Sequence, residues 1–168
     1  HKAALGITKE IGDKRGEGRH LGRLGGLYHK LGENEEALKY YEEAHRITRD
    51  IRDKKGEGGN LGNIGTVYYD LGQNEKALKY HKEALVITRE IGDKRGARVH
   101  LGNIGLIYHK LGQIEDALKF IQEALSITRE IDDKRGEGVC LGNIGDIFLD
   151  LNRLEESKIH LLQAVEIG

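Results

Sequence analysis

Asparagine recurs at positions 63, 103 and 143, forty residues apart and each time inside the pentapeptide LGNIG. A carboxamide carries both a hydrogen-bond donor and an acceptor, so it can pair with the C=O and N–H of an extended peptide without reading its side chains. A solvated helix face gains nothing from Asn, which is a mediocre helix former. One period earlier the pentapeptide is LGRLG, where Arg23 puts a charge in place of the amide. Peptide capture is the chemistry these residues suggest. The alternative is that the carboxamides bond to a neighbouring helix and tie the chain to itself.

The forty-residue period governs the whole 168-residue chain. Residues 13–52 align without a gap to the segments beginning at Asp53, Asp93 and Asp133. Residues 1–12 match 81–92, and the closing LLQAVEIG stops partway through the matching segment. The expected organisation is thus a trailing helix of a preceding repeat at 1–12, repeats at 13–52, 53–92 and 93–132, and a fourth at 133–168 with a truncated second helix. Opening in mid-pattern and lacking Met, the sequence reads as a fragment. Within one repeat, Leu21, Leu24, Tyr28 and Leu31 form a helical stripe, with Asp13 placed to cap its start and Gly32 to turn its end. Ala37, Leu38, Tyr41, Ala44, Ile47 and Ile51 share a face of a second helix. Such a hairpin cannot bury its apolar faces alone, so neighbours must stack. In the fourth repeat Asn152 stands in for the turn Gly, a residue that tolerates the left-handed conformation.

On the opposite side of the first helix lie Arg19, Arg23, Gly26 and Lys30. Translated through the repeats, this stripe becomes Gly59, Asn63, Thr66 and Asp70, then Val99, Asn103, Leu106 and Lys110, then Val139, Asn143, Asp146 and Asp150. The first repeat's stripe is basic and the fourth's acidic. An extended partner would then place acidic residues near the first and basic ones near the fourth, unless these charges are simply solvated.

Leu21, Leu24-Gly25, Tyr28, Gly32, Ala37, Tyr41 and Ala44, with their counterparts from Leu61 to Ala84, fall at the spacing of the tetratricopeptide signature. In its longer period, and in having Leu where Trp often begins the motif, the sequence resembles the lengthened arrays of kinesin light chain and Partner-of-Inscuteable adaptors, and of sensor regions in prokaryotic signalling ATPases. The resemblance implies an all-α fold, an α-α superhelix built as a right-handed solenoid of antiparallel helical hairpins. It implies that first helices line the concave surface and that Asn63, Asn103 and Asn143 hold a peptide there. It also makes Gly25, Gly65, Gly105 and Gly145 the small residues where the helices of a hairpin meet. Gly22, Gly62, Gly102 and Gly142, on the flank between core and groove, leave room for a backbone or a ligand.

Other chemistries are weaker. GEGRHLG at 16–22 and its repeats look like a loose dinucleotide loop, but that loop needs a preceding strand and here a helix precedes it. His29 and His109 are two repeats apart, too far to share an ion, and His20, His100 and Cys140 occupy one packing position in different repeats. No metal, cofactor or catalytic constellation is expected. Basic residues number 27 and acidic ones 28, so no overall field draws nucleic acid or an anionic membrane. One cysteine and no apolar run near the ~20 residues of a membrane span suggest a soluble, cytoplasmic, non-catalytic scaffold with a protein or peptide partner. A competing expectation is head-to-tail self-assembly through Leu5, Ile7, Leu161, Leu162 and Val165 at the two ends.

Overall fold

The structure, a computed structural model, describes residues 6–8 and 10–167. Helices α1 (Lys14–Lys30), α2 (Asn34–Asp50), α3 (Lys54–Asp70), α4 (Asn74–Glu90), α5 (Lys94–Lys110), α6 (Ile114–Glu130), α7 (Lys134–Asp150) and α8 (Leu154–Ile167) follow one another through short turns. No strand occurs among the described residues. After Asp93 the chain divides into two compact units. In the first, α1 pairs with α2 and α3 with α4, α2 packs on α3, and α1 touches α3. The second repeats this plan with α5 to α8.

Helix starts and stops follow local chemistry. Asp13, Asp53 and Asp133 accept the N–H of Gly16, Gly56 and Gly136 at 2.8, 3.1 and 2.9 Å, each satisfying one orphan donor. The first helices end in left-handed residues, Gly32 at φ 77° and Asn152 at φ 57° among them. At the first of these turns Glu33 N–H donates to Tyr28 O at 3.0 Å, closing a Schellman motif. The second helices end likewise, but Arg52 and Asp132 sit at φ 58° and 52° where Gly92 sits at 69°. An L-residue pays about 1 kcal/mol for that conformation. Asp132→Gly is expected to recover about that amount, read as a rise in the urea midpoint.

The core consists of small, repeated contacts. Leu21, Ala37, Ala44, Leu101, Ile104, Ala117 and Ile121 are fully buried. At Gly25 a methyl group would come within 2.8 Å of the Tyr41 ring, and at Gly65 within 2.9 Å of His81, so the pairing of helices within each hairpin requires the missing side chain. Three of the four hairpins also stack an aromatic pair: Tyr28 on Tyr40 at 5.2 Å, Tyr68 on Tyr80 at 5.4 Å, and Tyr108 on Phe120 at 5.4 Å, while in the fourth Phe148 meets the His160 ring at a tilt. One expected core position is not core. Leu31 is 62% exposed, because it is the C-cap of α1, where the chain leaves the helix before Gly32. Leu71, Leu111 and Leu151, its counterparts, are exposed too.

The glycine that opens GEG is a packing residue. A methyl group on Gly56 would lie 2.7 Å from Thr48 Cγ2 of the preceding helix and 3.1 Å from the capping Asp53 carboxylate. The neighbouring Glu17, Glu57 and Glu137 are buried, each near a lysine of its own first turn. Glu137 also accepts from Arg129 Nε at 2.8 Å, and this bond holds its carboxyl below the usual carboxylate range. Burial likewise lowers His45 below the ordinary imidazole value. Both shifts favour the deprotonated form in the folded state, so stability falls with pH, as Glu137 gives up the bond that stabilises it and His45 must take a charge where burial opposes it. Glu137→Gln should therefore flatten the loss of thermal stability on acidification through the carboxylate range, measured against the parent chain.

Candidate peptide-binding face

In the first unit, Arg19, Arg23 and Lys30 of α1 are exposed, as are Asn63 and Asp70 of α3, with Thr66 half-buried between them. Helices α1 and α3 enclose a cleft of about 330 Å³ that brings Arg19, Arg23 and Asn63 together over Gly22 and Gly59. An adjoining hollow of about 440 Å³ runs from Arg23 past Gly26 and Leu27 to Lys30. In the second unit, Asn103 and Leu106 of α5 and Asn143 of α7 are half-buried, while Lys110, Asp146 and Asp150 are exposed. The stripe opposite the core therefore faces outward in both units.

The carboxamides of Asn63, Asn103 and Asn143 make no hydrogen bond among the described residues. In the first unit the tie between helices is made instead by Asn60, which is buried and donates from Nδ2 to Thr48 Oγ1 at 3.4 Å. Asn60 aligns with His20, His100 and Cys140, and His100 and Cys140 are buried as packing residues. Burial pushes the Cys140 thiol up to about 11, so it stays protonated at neutral pH. Thr66 is satisfied internally: its hydroxyl donates to Gly62 O at 3.1 Å.

Two of the stripe's acids are engaged. His29 Nε2 lies 2.7 Å from Asp70 Oδ2, linking α1 to α3, and His109 Nε2 lies 3.0 Å from Asp150 Oδ2, linking α5 to α7. Histidine 29 thus answers a neighbouring carboxylate instead of adding free charge to the first repeat. Asp146 remains exposed and unpaired among the described residues. These bridges were legible only at a spacing of one period plus one residue, from His29 to Asp70 and from His109 to Asp150. The same bridges account for a doubled period, in which YHKLG alternates with YYDLG and FLDLN. The remaining glycines of the flank divide: a methyl group on Gly22 would lie 3.3 Å from Asn60 Oδ1, whereas on Gly102 or Gly142 it would meet nothing within 4 Å.

Among curated proteins none matches the sequence. Solved structures share the fold at low identity. BtubC (BKLC) from P. vanneervenii is 18% identical, with a TM-score of 0.81 over 92% of this chain and 64% of its own. A signal transduction ATPase with a tetratricopeptide repeat sensor from Pyrococcus horikoshii is 22% identical, with a TM-score of 0.80 over 90% of this chain and 24% of its own. Putative kinesin light chain TPR-like repeats from Podosopora anserina are 13% identical, with a TM-score of 0.76 over 97% of this chain and 81% of theirs. The chain thus spans less than two thirds of the first two of these proteins. The sequence pattern of the tetratricopeptide repeat matches residues 21–55, 57–130 and 96–168. Together with the helical hairpins packed through Gly25, Gly65 and Gly105, this match shows that the chain belongs to the tetratricopeptide repeat family.

Proposed function

We propose that the chain is a non-catalytic scaffold that holds a peptide or protein segment along the first-helix face of each unit, within a larger adaptor or signalling protein. One observation carries the reading: Asn63, Asn103 and Asn143 reach solvent with their donors and acceptors unspent. A carboxamide that reaches solvent keeps its donor and acceptor available, and one repeated at one face position is suited to a backbone that arrives later. The sensor arm of the Pyrococcus horikoshii ATPase and the kinesin light chain repeats supply precedents for the two kinds of larger protein. The near balance of charge favours a protein partner over nucleic acid. A single, buried cysteine suits the cytoplasm, and among the described residues no helix is long and apolar enough to cross a membrane.

A displayed library of extended peptides, selected on the immobilised chain, tests the reading. Ligands should emerge whose binding changes when Arg23→Glu and Asp150→Lys reverse the charge of the two faces. Selected ligands indifferent to both reversals would remove the charge register, and failure to select any ligand would count against the scaffold itself.

A second reading is head-to-tail self-assembly. It is favoured by the exposed apolar residues Ile7 at one end and Leu162 and Val165 of α8 at the other, Val165 being 77% exposed. Leu161 is half-buried against Gly145, and Leu5 lies outside the described residues. Mass measured against concentration separates the readings, since a strict monomer at high concentration leaves only the first.

A further inference from the structure

Helix α1 carries Arg15, Arg19 and Arg23 four residues apart, so all three guanidinium groups leave one face within about 12 Å of helix length. Only the first is compensated. Arg15 Nε lies 3.6 Å from Asp53 Oδ2, whose carboxylate also caps α3 through Gly56 N–H. Arg19 and Arg23 have no ion-pair partner among the described residues, and both line the cleft between α1 and α3, which the paired Arg15 and Asp53 line as well, leaving cations in excess. Like charges four residues apart on a helix repel, so the pair is unfavourable until an anion covers it. The later repeats put Gly59, Val99 and Val139 in place of Arg19, and Asn in place of Arg23, so this cation pair occurs once.

The cleft leaves space above that pair. Gly59 on the facing helix has no side chain, and a methyl group there would meet nothing within 4 Å. Asn63 stands on the same wall with its carboxamide unspent. Two guanidinium forks about 6 Å apart along the helix and one amide donor outnumber the oxygens of a single carboxylate, which one fork already satisfies. A phosphomonoester brings a charge of about −1.5 to −2 and three terminal oxygens, enough to accept from both forks and the amide together.

We propose that the cleft lined by Arg19, Arg23 and Asn63 is a seat for a dianionic phosphomonoester carried on the segment that docks on the first unit. The proposal rests on the scaffold reading and names the chemistry its first unit selects. Arg19 and Arg23 clamp the phosphoryl oxygens, Asn63 donates to the third, and Gly22 and Gly59 let the bearing backbone approach.

The test uses three alanine-based peptides that differ at one central position, bearing phosphoserine, glutamate or serine, titrated into the 168-residue chain and followed by NMR. The phosphoserine peptide should move the Nε–H signals of Arg19 and Arg23 and the side-chain amide of Asn63. Its Kd should be at least fivefold below that of the glutamate peptide, and the serine peptide should move none of them. The double variant Arg19→Gln, Arg23→Gln should weaken the phosphoserine peptide at least tenfold, while Arg46→Gln on α2 leaves it within twofold. Equal affinity for the phosphoserine and glutamate peptides, or unchanged affinity in the double variant, overturns the proposal. If library-selected peptides still bind in an Asn-dependent way, that overturning leaves the scaffold reading standing.

Discussion

Gly105→Ala is expected to destabilise the fold by about 1–3 kcal/mol, the cost of forcing extra volume into a packed contact. Gly102→Ala, three residues earlier in the same helix, is expected to stabilise it by up to about 1 kcal/mol, the ordinary preference of a helix for Ala over Gly. The opposite signs come from what each methyl group meets. At position 105 it would press into Ile121 Cγ1 and sit 3.1 Å from the Ala117 carbonyl oxygen, and a backbone oxygen of α6 cannot rotate away. At position 102 it would meet nothing within 4 Å. Urea midpoints of the two variants against the parent chain decide the matter. Equal effects of the same sign would mean that hairpin packing does not select the second glycine of LGNIG.

Replacing Asn63, Asn103 and Asn143 together by Ala is expected to weaken binding of a library-selected peptide by roughly 10- to 1000-fold. That range follows from three net hydrogen bonds at about 0.5–1.5 kcal/mol each and about 1.4 kcal/mol per tenfold. Far-UV circular dichroism should not change, because the three side chains make no hydrogen bond among the described residues and Ala is the better helix former. Loss of affinity with helicity retained supports the clamp. Unchanged affinity would return the asparagines to the solvated surface.

Helix pairing was readable because it is set by local rules that a period of forty repeats verbatim: Asp caps, left-handed turns, and a three-four spacing of Leu and Ile. The close approach at Gly25 and Gly65 was readable through the resemblance, which makes this position the small one where the helices of a hairpin meet. Leu31 was misplaced because periodicity does not mark where a helix stops, and a cap residue one step beyond the last turn keeps the spacing while losing the contact. The face opposite the core was legible as a stripe, but not how its charges compensate. His29 meets Asp70, and His109 meets Asp150, across neighbouring first helices, a relation that depends on the offset between packed helices and not on spacing within either one. Asn60 was missed for a similar reason. Its role as the buried tie to Thr48 emerges only when α3 is packed on α2.

We propose above all that a partner occupies the first-helix faces. Photo-crosslinking reads it directly, with a benzophenone amino acid placed at Thr66 or Asp146 on those faces, or at Val86 or Ser126, which are exposed on second helices α4 and α6. With a library-selected peptide bound, crosslinks should form from positions 66 and 146 and not from 86 and 126. Crosslinks from 86 and 126 alone would contradict the account.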